Sequence, residues 1–168
     1  MDYKEIRPEE LSGNVFNMIA NDWMLITAEK DGAVNTMTAS WGGLGFIWRK
    51  PVAYIFIRPQ RHTFGFVEAS DRLTLSFFGG ECRDALRICG TKSGRDCDKI
   101  AEAGLTPISL SEGCTSFEEA TVIMECSKLY AQDLTADSVI DPAIFNEYKA
   151  GDYHRMYVVS IDRLLVKS

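Results

Sequence analysis

Between Asp31 and Glu68 the chain runs 36 residues without an acidic side chain, although 24 of its 168 residues are Asp or Glu and its net charge is −6. Composition alone would place about five acids in that length. Inside it lie Arg49, Lys50, Arg58 and Arg61, the run Asn35, Thr36, Met37, Thr38, Ala39, Ser40 and Trp41, and the basic turn Arg58 to Thr63 (RPQRHT), which includes His62. A basic, hydroxyl-rich and glycine-rich island in an acidic chain suits a small anion, because a long nucleic acid demands a basic whole face. Phosphate is the anion these residues favour. Arg58 and Arg61 offer guanidinium forks for its oxygens. Thr63 is placed to cap a following helix, whose first amides would then be free to point at the anion. A single arginine would more simply be solvated or paired, here with Glu68 or Asp71; two arginines and a cap at one helix start favour the anion.

Those residues need a scaffold of strands. On a strand, Thr36, Thr38 and Ser40 take one face and Met37, Ala39 and Trp41 the other, since side chains alternate with period two. That alternation alone describes any half-buried strand. Gly42, Gly43 and Gly45 add the expectation that a flat ligand approaches the backbone closely. Strands are expected at Trp23 to Ala28, Val34 to Trp41, Val52 to Ile57, Leu73 to Phe78, Glu119 to Tyr130 and Arg155 to Val166, with Asp31-Gly32 as a hairpin turn. Helical segments are expected at Pro8 to Asn21, Arg61 to Ala69, Cys82 to Cys89, Asp96 to Ala103 and Pro142 to Tyr148. Six strands with short connections make an antiparallel barrel, mainly β or α+β, with short peripheral helices. The first strands are too close together for helical crossovers, which disfavours an open parallel sheet.

Composition narrows the class further. With 46% hydrophobic and 25% charged residues and no linker or repeat, the chain reads as one domain over 1–168. A pI near 5.0 argues against binding nucleic acid or an anionic membrane without sequence preference. No apolar run approaches the roughly 20 residues that span a bilayer. The segment MDYKEIRPEEL is mostly acidic where a signal peptide would be basic and then apolar, which points to the cytoplasm. Five cysteines, spaced by 7, 8, 17 and 12, and two histidines 92 positions apart give no metal-ligand spacing, so no metal is expected and the thiols read as free. There is no P-loop, no GxGxxG after the first strand and no hydrolase triad motif.

Five ordered blocks, NTMTASWGGLG, KPVAYIFIRPQRHTF, LTLSFF, CGTKSGRDCDK and DYHRMYV, resemble the flavin reductase-like family of FMN-binding split barrels, of the flavoredoxin type. The likeness covers nearly the whole chain. It implies a six-stranded antiparallel split barrel that forms a homodimer, with FMN near each end of the subunit interface. Carried over, Asn35 to Trp41 would run beside the flavin ring and ribityl chain, and Arg58, Arg61, His62 and Thr63 would hold the phosphate. Ser76, Phe77 and Phe78 would form a neighbouring wall; Lys92, Ser93 and Gly94 would close over the cofactor, from the same or the partner subunit. His154 falls where the family often has a histidine near the flavin, against the plainer reading of a satisfied structural histidine. The chain departs from the family at Val159-Ser160, where many relatives carry Gly-Glu, and at His62 and Cys97.

The implied activity is that of an FMN-dependent oxidoreductase reducing flavin with NADH or NADPH. Such a protein needs no conventional acid, base or nucleophile, because the flavin carries the chemistry. The alternatives are a non-catalytic electron carrier between partner proteins and, more distantly, a pyridoxal phosphate-linked oxidase on a related barrel. Trp41, Phe46 and Trp48 are the candidate residues of a dimer seam.

Overall fold

The computed structural model describes residues 2–168. Its strands are β1 (Tyr3–Ile6), β2 (Met24–Lys30), β3 (Ala33–Ala39), β4 (Gly42–Ile47), β5 (Lys50–Ile57), β6 (Arg72–Phe78), β7 (Pro107–Ser109), β8 (Thr115–Phe117), β9 (Ala120–Asp133) and β10 (Arg155–Lys167). Four short helices accompany them: α1 (Val15–Asn17), α2 (His62–Ala69), α3 (Arg83–Thr91) and α4 (Lys99–Glu102).

Every strand pairing is antiparallel, and the main sheet runs β3-β2-β6-β9-β10-β5-β4, with β1 added alongside β10. The two ends of this path, β3 and β4, are consecutive in the chain and joined only by Ser40 and Trp41. A sheet whose outermost strands are tethered by two residues must curl until its edges meet. Because β3 pairs only with β2 and β4 only with β5 among the described residues, the cylinder closes without a final ladder and is split.

Alternation explains the interior. Met24, Ile26 and Ala28 of β2, Met37 and Ala39 of β3, and Ala53, Ile55 and Ile57 of β5 point into one buried cluster with Leu73, Leu75 and Phe77 of β6. The opposite face of β2 and β6 is not solvated. Leu25, Phe78 and Ile123 pack outward into a second cluster with Leu86 and Cys89 of α3 and Phe117 of β8. Helix α2 lies against β2 and β3 and contributes Val67 to the interior cluster.

The six expected strands all form, at β2, β3, β5, β6, β9 and β10. The barrel nevertheless has seven strands in its path, because the glycine-rich segment after Trp41 is β4. Its glycines hide the alternation that marks a strand. They also do a different job from the one expected: a Cβ on Gly42 would lie 2.7 Å from the Tyr54 carbonyl oxygen, and one on Gly45 would lie 3.0 Å from Tyr54 Cε2. The small residues let β4 close on Tyr54 of β5, not on a flat ligand.

The β2–β3 and β4–β5 hairpins each turn on two residues. Lys30 pairs with Ala33, leaving Asp31 (φ +51°) and Gly32 (φ +77°) in the turn that the sequence announces. Ile47 pairs with Lys50, leaving Trp48 (φ +51°) and Arg49 (φ +60°), two bulky side chains in a left-handed conformation they rarely adopt. The expected helix from Pro8 to Asn21 is broken. A 3-10 turn covers Pro8–Glu10, Leu11 becomes extended, and Asn14 caps a fresh start at α1 by accepting from Asn17 N at 3.2 Å, before a π turn at Met18–Asp22.

Candidate functional site

The last carbonyls of a helix have no partner within it, and they carry its negative end. At α3 two cations occupy that end. Arg61, at the entry to α2, donates to Gly90 O at 2.9 Å and Cys89 O at 3.3 Å, while Lys99, the first residue of α4, donates to Cys89 O at 3.4 Å and Lys92 O at 3.3 Å. Lys99 is 3% exposed. Among the described residues neither cation forms a salt bridge with a carboxylate. Burial, followed by the nearby Arg61 charge, pushes the Lys99 ammonium down to about 8, and burial also lowers Arg61. Buried charge normally requires an opposite charge. Dipolar carbonyls satisfy the N–H groups here but leave the net positive charge standing.

Beside Arg61 opens a cleft of about 230 Å³ lined by Met37, Thr38, Ala39, Ser40, Trp41, Phe56, Arg58, Arg61 and His154. Five consecutive residues along one wall mean that the main chain itself faces the cleft, since alternate side chains cannot all point the same way. This wall is the end of β3 and the Ser40-Trp41 link, on a strand with one free edge, so its backbone groups are available to a ligand.

The opposite wall is a connected cluster. His154, 8% exposed, has its Nδ1 2.8 Å from Tyr148 Oη, and its ring centroid 5.0 Å from that of Trp41. Burial, with the Arg58 charge adding to it, pushes the His154 imidazole down to about 4, so the ring is neutral at pH 7. Tyr148 stacks on Tyr153, with centroids 4.5 Å apart. Arg58 lies over the Tyr148 ring at 5.4 Å, donates to Glu147 O at 3.0 Å and pairs with Asp152, which also accepts from Gln60 Nε2 at 2.7 Å.

Eight of the expected site residues, Met37 to Trp41, Arg58, Arg61 and His154, therefore line one cleft. Asn35, His62, Thr63 and Gly94 gather next to it. Thr63 is not the helix cap: α2 begins at His62, Arg61 stands at the N-cap position, and the buried Thr63 hydroxyl instead accepts from Asn35 Nδ2 at 3.2 Å. Gly94 is seated so tightly that a Cβ there would lie 2.5 Å from Asn35 Oδ1 and 3.1 Å from His62 Cδ2. Gly94 thus rests on Asn35 of β3 and His62 of α2.

Other expectations are corrected. Thr36 is buried, paired with Thr27 Oγ1 at 2.8 Å, and donates to Ile26 O at 3.1 Å, so its hydroxyl holds the β2–β3 pair together. Thr38 lines the cleft, but its hydroxyl donates to Leu86 O of α3 at 2.5 Å. Ser76, Phe77 and Phe78 form no wall of the cleft. They are buried on β6, two strands from its free edge, with Ser76 bonded to Ser116 of β8 at 2.8 Å. Lys92 points away to an ion pair with Glu102, and Ser93 Oγ accepts from Arg95 N at 3.2 Å. Arg58 pairs with Asp152 and not with Glu68 or Asp71. Sequence reasoning also passed over Lys99, although it sits inside the SGRDCDK block, and Phe56, Tyr148 and Asp152. Among the described residues no group of three or more His, Cys, Asp or Glu could hold a metal ion, and no helix is long and apolar enough to cross a membrane.

The model of the flavin reductase like domain matches residues 16–167. The chain belongs to the flavin reductase-like family. Solved structures share the fold of this flavin reductase-like domain at low identity. A flavin reductase-like FMN-binding domain from Shewanella baltica aligns with a TM-score of 0.72 at 12% identity, covering 99% of this chain and 78% of that one. An FMN-binding protein from Thermus thermophilus, solved with 1-cyclohex-2-enone, gives 0.68 at 20%, covering 95% and 79%. A flavoredoxin from Methanosarcina acetivorans gives 0.67 at 16%, covering 95% and 75%. No curated protein matches the chain.

Proposed function

We propose that this flavin reductase-like domain, one unit over 1–168, is an FMN-dependent oxidoreductase that accepts a hydride from NADH or NADPH. One observation carries the reading: the free edge of β3 and the half-buried Arg61 meet at one cleft, and behind Arg61 the buried Lys99, also without a carboxylate partner, shares its Cys89 carbonyl. These residues fit FMN. The unneutralised charge of Arg61 and Lys99 suits a terminal phosphate, and the exposed main chain of Met37 to Trp41 suits the hydrogen-bonding edge of a flavin ring. No comparable basic element is present for an adenylate half, which favours FMN over FAD.

Bound FMN supplies two-electron chemistry through its ring. The chain's own residues bind and orient. Arg61 and Lys99 would hold the phosphate, with Asn35, His62, Thr63 and Gly94 framing that end. The β3 main chain would hold the ring through its own hydrogen-bonding groups, and Trp41 and neutral His154 line the same cleft. The chain acts as a homodimer; Trp41, Phe46 and Trp48 are 42%, 69% and 54% exposed, large apolar surfaces that a second copy would cover.

Mixing the yellow protein anaerobically with NADH or NADPH tests the activity. Bleaching near 450 nm within seconds supports a reductase. A flavin that stays oxidised with both donors, yet is reduced by dithionite, supports an electron carrier instead.

A further inference from the structure

We propose that Arg58, Asp152 and Tyr148 form a clamp that positions His154 in the cleft, and that Arg58 serves this clamp and is not a ligand of the phosphate. The inference rests on reading the cleft as an FMN site. The β5–β10 ladder ends at the pair Ile57↔Arg155, so the next residues, Arg58 and His154, leave the sheet side by side. From there each contact of the Arg58 guanidinium leads to the segment that carries His154: Glu147 O at 3.0 Å, the Asp152 carboxylate, and the face of Tyr148 at 5.4 Å. Tyr148 closes the circuit with its hydroxyl 2.8 Å from His154 Nδ1. A guanidinium held by a carboxylate on one arm and a carbonyl on another has little left to offer a phosphate. Arg61 and Lys99, held by carbonyls alone, retain that capacity.

The clamp also fixes the state of the ring. In the tautomer whose Nδ1 accepts from the Tyr148 hydroxyl, the imidazole carries its own proton on Nε2 and is a neutral hydrogen-bond donor. Its partner would be an oxygen acceptor, such as a carbonyl of the cofactor ring or of a second substrate's carboxamide. The charged and titratable groups around it are Arg58 from the end of β5, Arg61 from the start of α2, and Glu147, Tyr148, Asp152 and Tyr153 from the segment before β10. Trp41, from the β3–β4 link, covers it without charge.

The experiment is an NMR titration of the histidine ring signals in the apoprotein. The chain has only two histidines, so the signal lost in H154Q is that of His154 and the one that remains is that of His62. In the unmodified protein the His154 signal should show no midpoint above pH 5. Asp152→Ala separates a clamp from a bare charge effect by sign. Removing a neighbouring carboxylate can only lower a histidine's midpoint through its charge, whereas releasing the clamp rehydrates the ring and raises the midpoint by a pH unit or more. Arg58→Lys keeps the charge but not the fork, and should also raise it. A midpoint unmoved or lowered in D152A, or R58K indistinguishable from the unmodified protein, overturns the clamp. FMN titration supplies the second arm: R58K should lose less FMN affinity than R61K, and an equal or greater loss returns Arg58 to the phosphate and overturns the proposal. If the unmodified protein fails to bind FMN, the reading of the cleft falls, while the ring titration still decides whether the clamp exists.

Discussion

Arg61 and Lys99 donate to the same backbone carbonyl, that of Cys89, at 3.3 and 3.4 Å. Two like charges converge on one oxygen at the end of α3, and the Arg61 charge adds to burial in lowering the Lys99 ammonium. Such an arrangement costs stability unless something negative completes it. On the proposed reading, the FMN phosphate is that negative group.

The first expectation follows from that charge. Arg61→Ala and Lys99→Met should each weaken FMN binding by roughly 1.5–3 kcal/mol, the worth of a charge-assisted hydrogen bond. Riboflavin, which lacks the phosphate, should bind both variants about as it binds the parent. Fluorescence titration of apoprotein with the two flavins measures this; equal losses for both would move the phosphate elsewhere.

FMN affinity should also depend on pH in a definite direction. Lys99 is held down to about 8, and a phosphate beside it would restore its proton. Below pH 8 the ammonium is already charged and binding needs no proton from this group. Above it, binding takes up a proton, so affinity should fall by as much as about tenfold per pH unit. On the acid side, affinity should weaken below about pH 6, where the phosphate loses its second charge. A series of binding curves from pH 5.5 to 10 checks both limbs, and K99M should lack the alkaline one.

Acid should destabilise the fold through His154. Its folded value of about 4 lies below the ordinary 6.5, so between those limits the unfolded chain binds more protons than the native one. The native state loses stability as pH falls through that window, by roughly 1–3 kcal/mol at its foot. H154Q should flatten that part of the curve of urea midpoint against pH, with the carboxylates accounting for what remains.

The β4–β5 turn offers a stabilising change. Trp48 and Arg49 occupy left-handed conformations that Asn and Gly accept without strain, so the pair W48N and R49G should gain about 1–2 kcal/mol and raise Tm. If the exposed Trp48 belongs to a dimer seam, the same variant should dissociate at higher protein concentration than the parent. Calorimetry and light scattering read the two effects separately.

What the sequence disclosed was mostly local. Period-two alternation located β2, β3, β5, β6, β9 and β10, and Asp31-Gly32 named its own turn. Alternation says which side chains share a face but not what covers it, and so Ser76 and Phe78 were assigned to a wall when β8 and α3 already cover their side of the sheet. Trp48-Arg49 carries no turn chemistry and was invisible as one. The acid-free island brings Met37 to Trp41, Arg58 and Arg61 to one cleft, but it says nothing of the carboxylate that holds Arg58, which lies 94 residues away at Asp152. Lys99 gave no signal either, since its partners are main-chain carbonyls that have no letter in the sequence.

The link of Ser40 and Trp41 has a mechanical meaning. The same two residues that tether β3 to β4 form part of the cleft wall, so whatever occupies the cleft also bears on the seam where the cylinder is open. Ligand and fold are then coupled at the barrel's weakest line: slower amide exchange along both unpaired edges would accompany occupancy, and the empty protein would breathe there first.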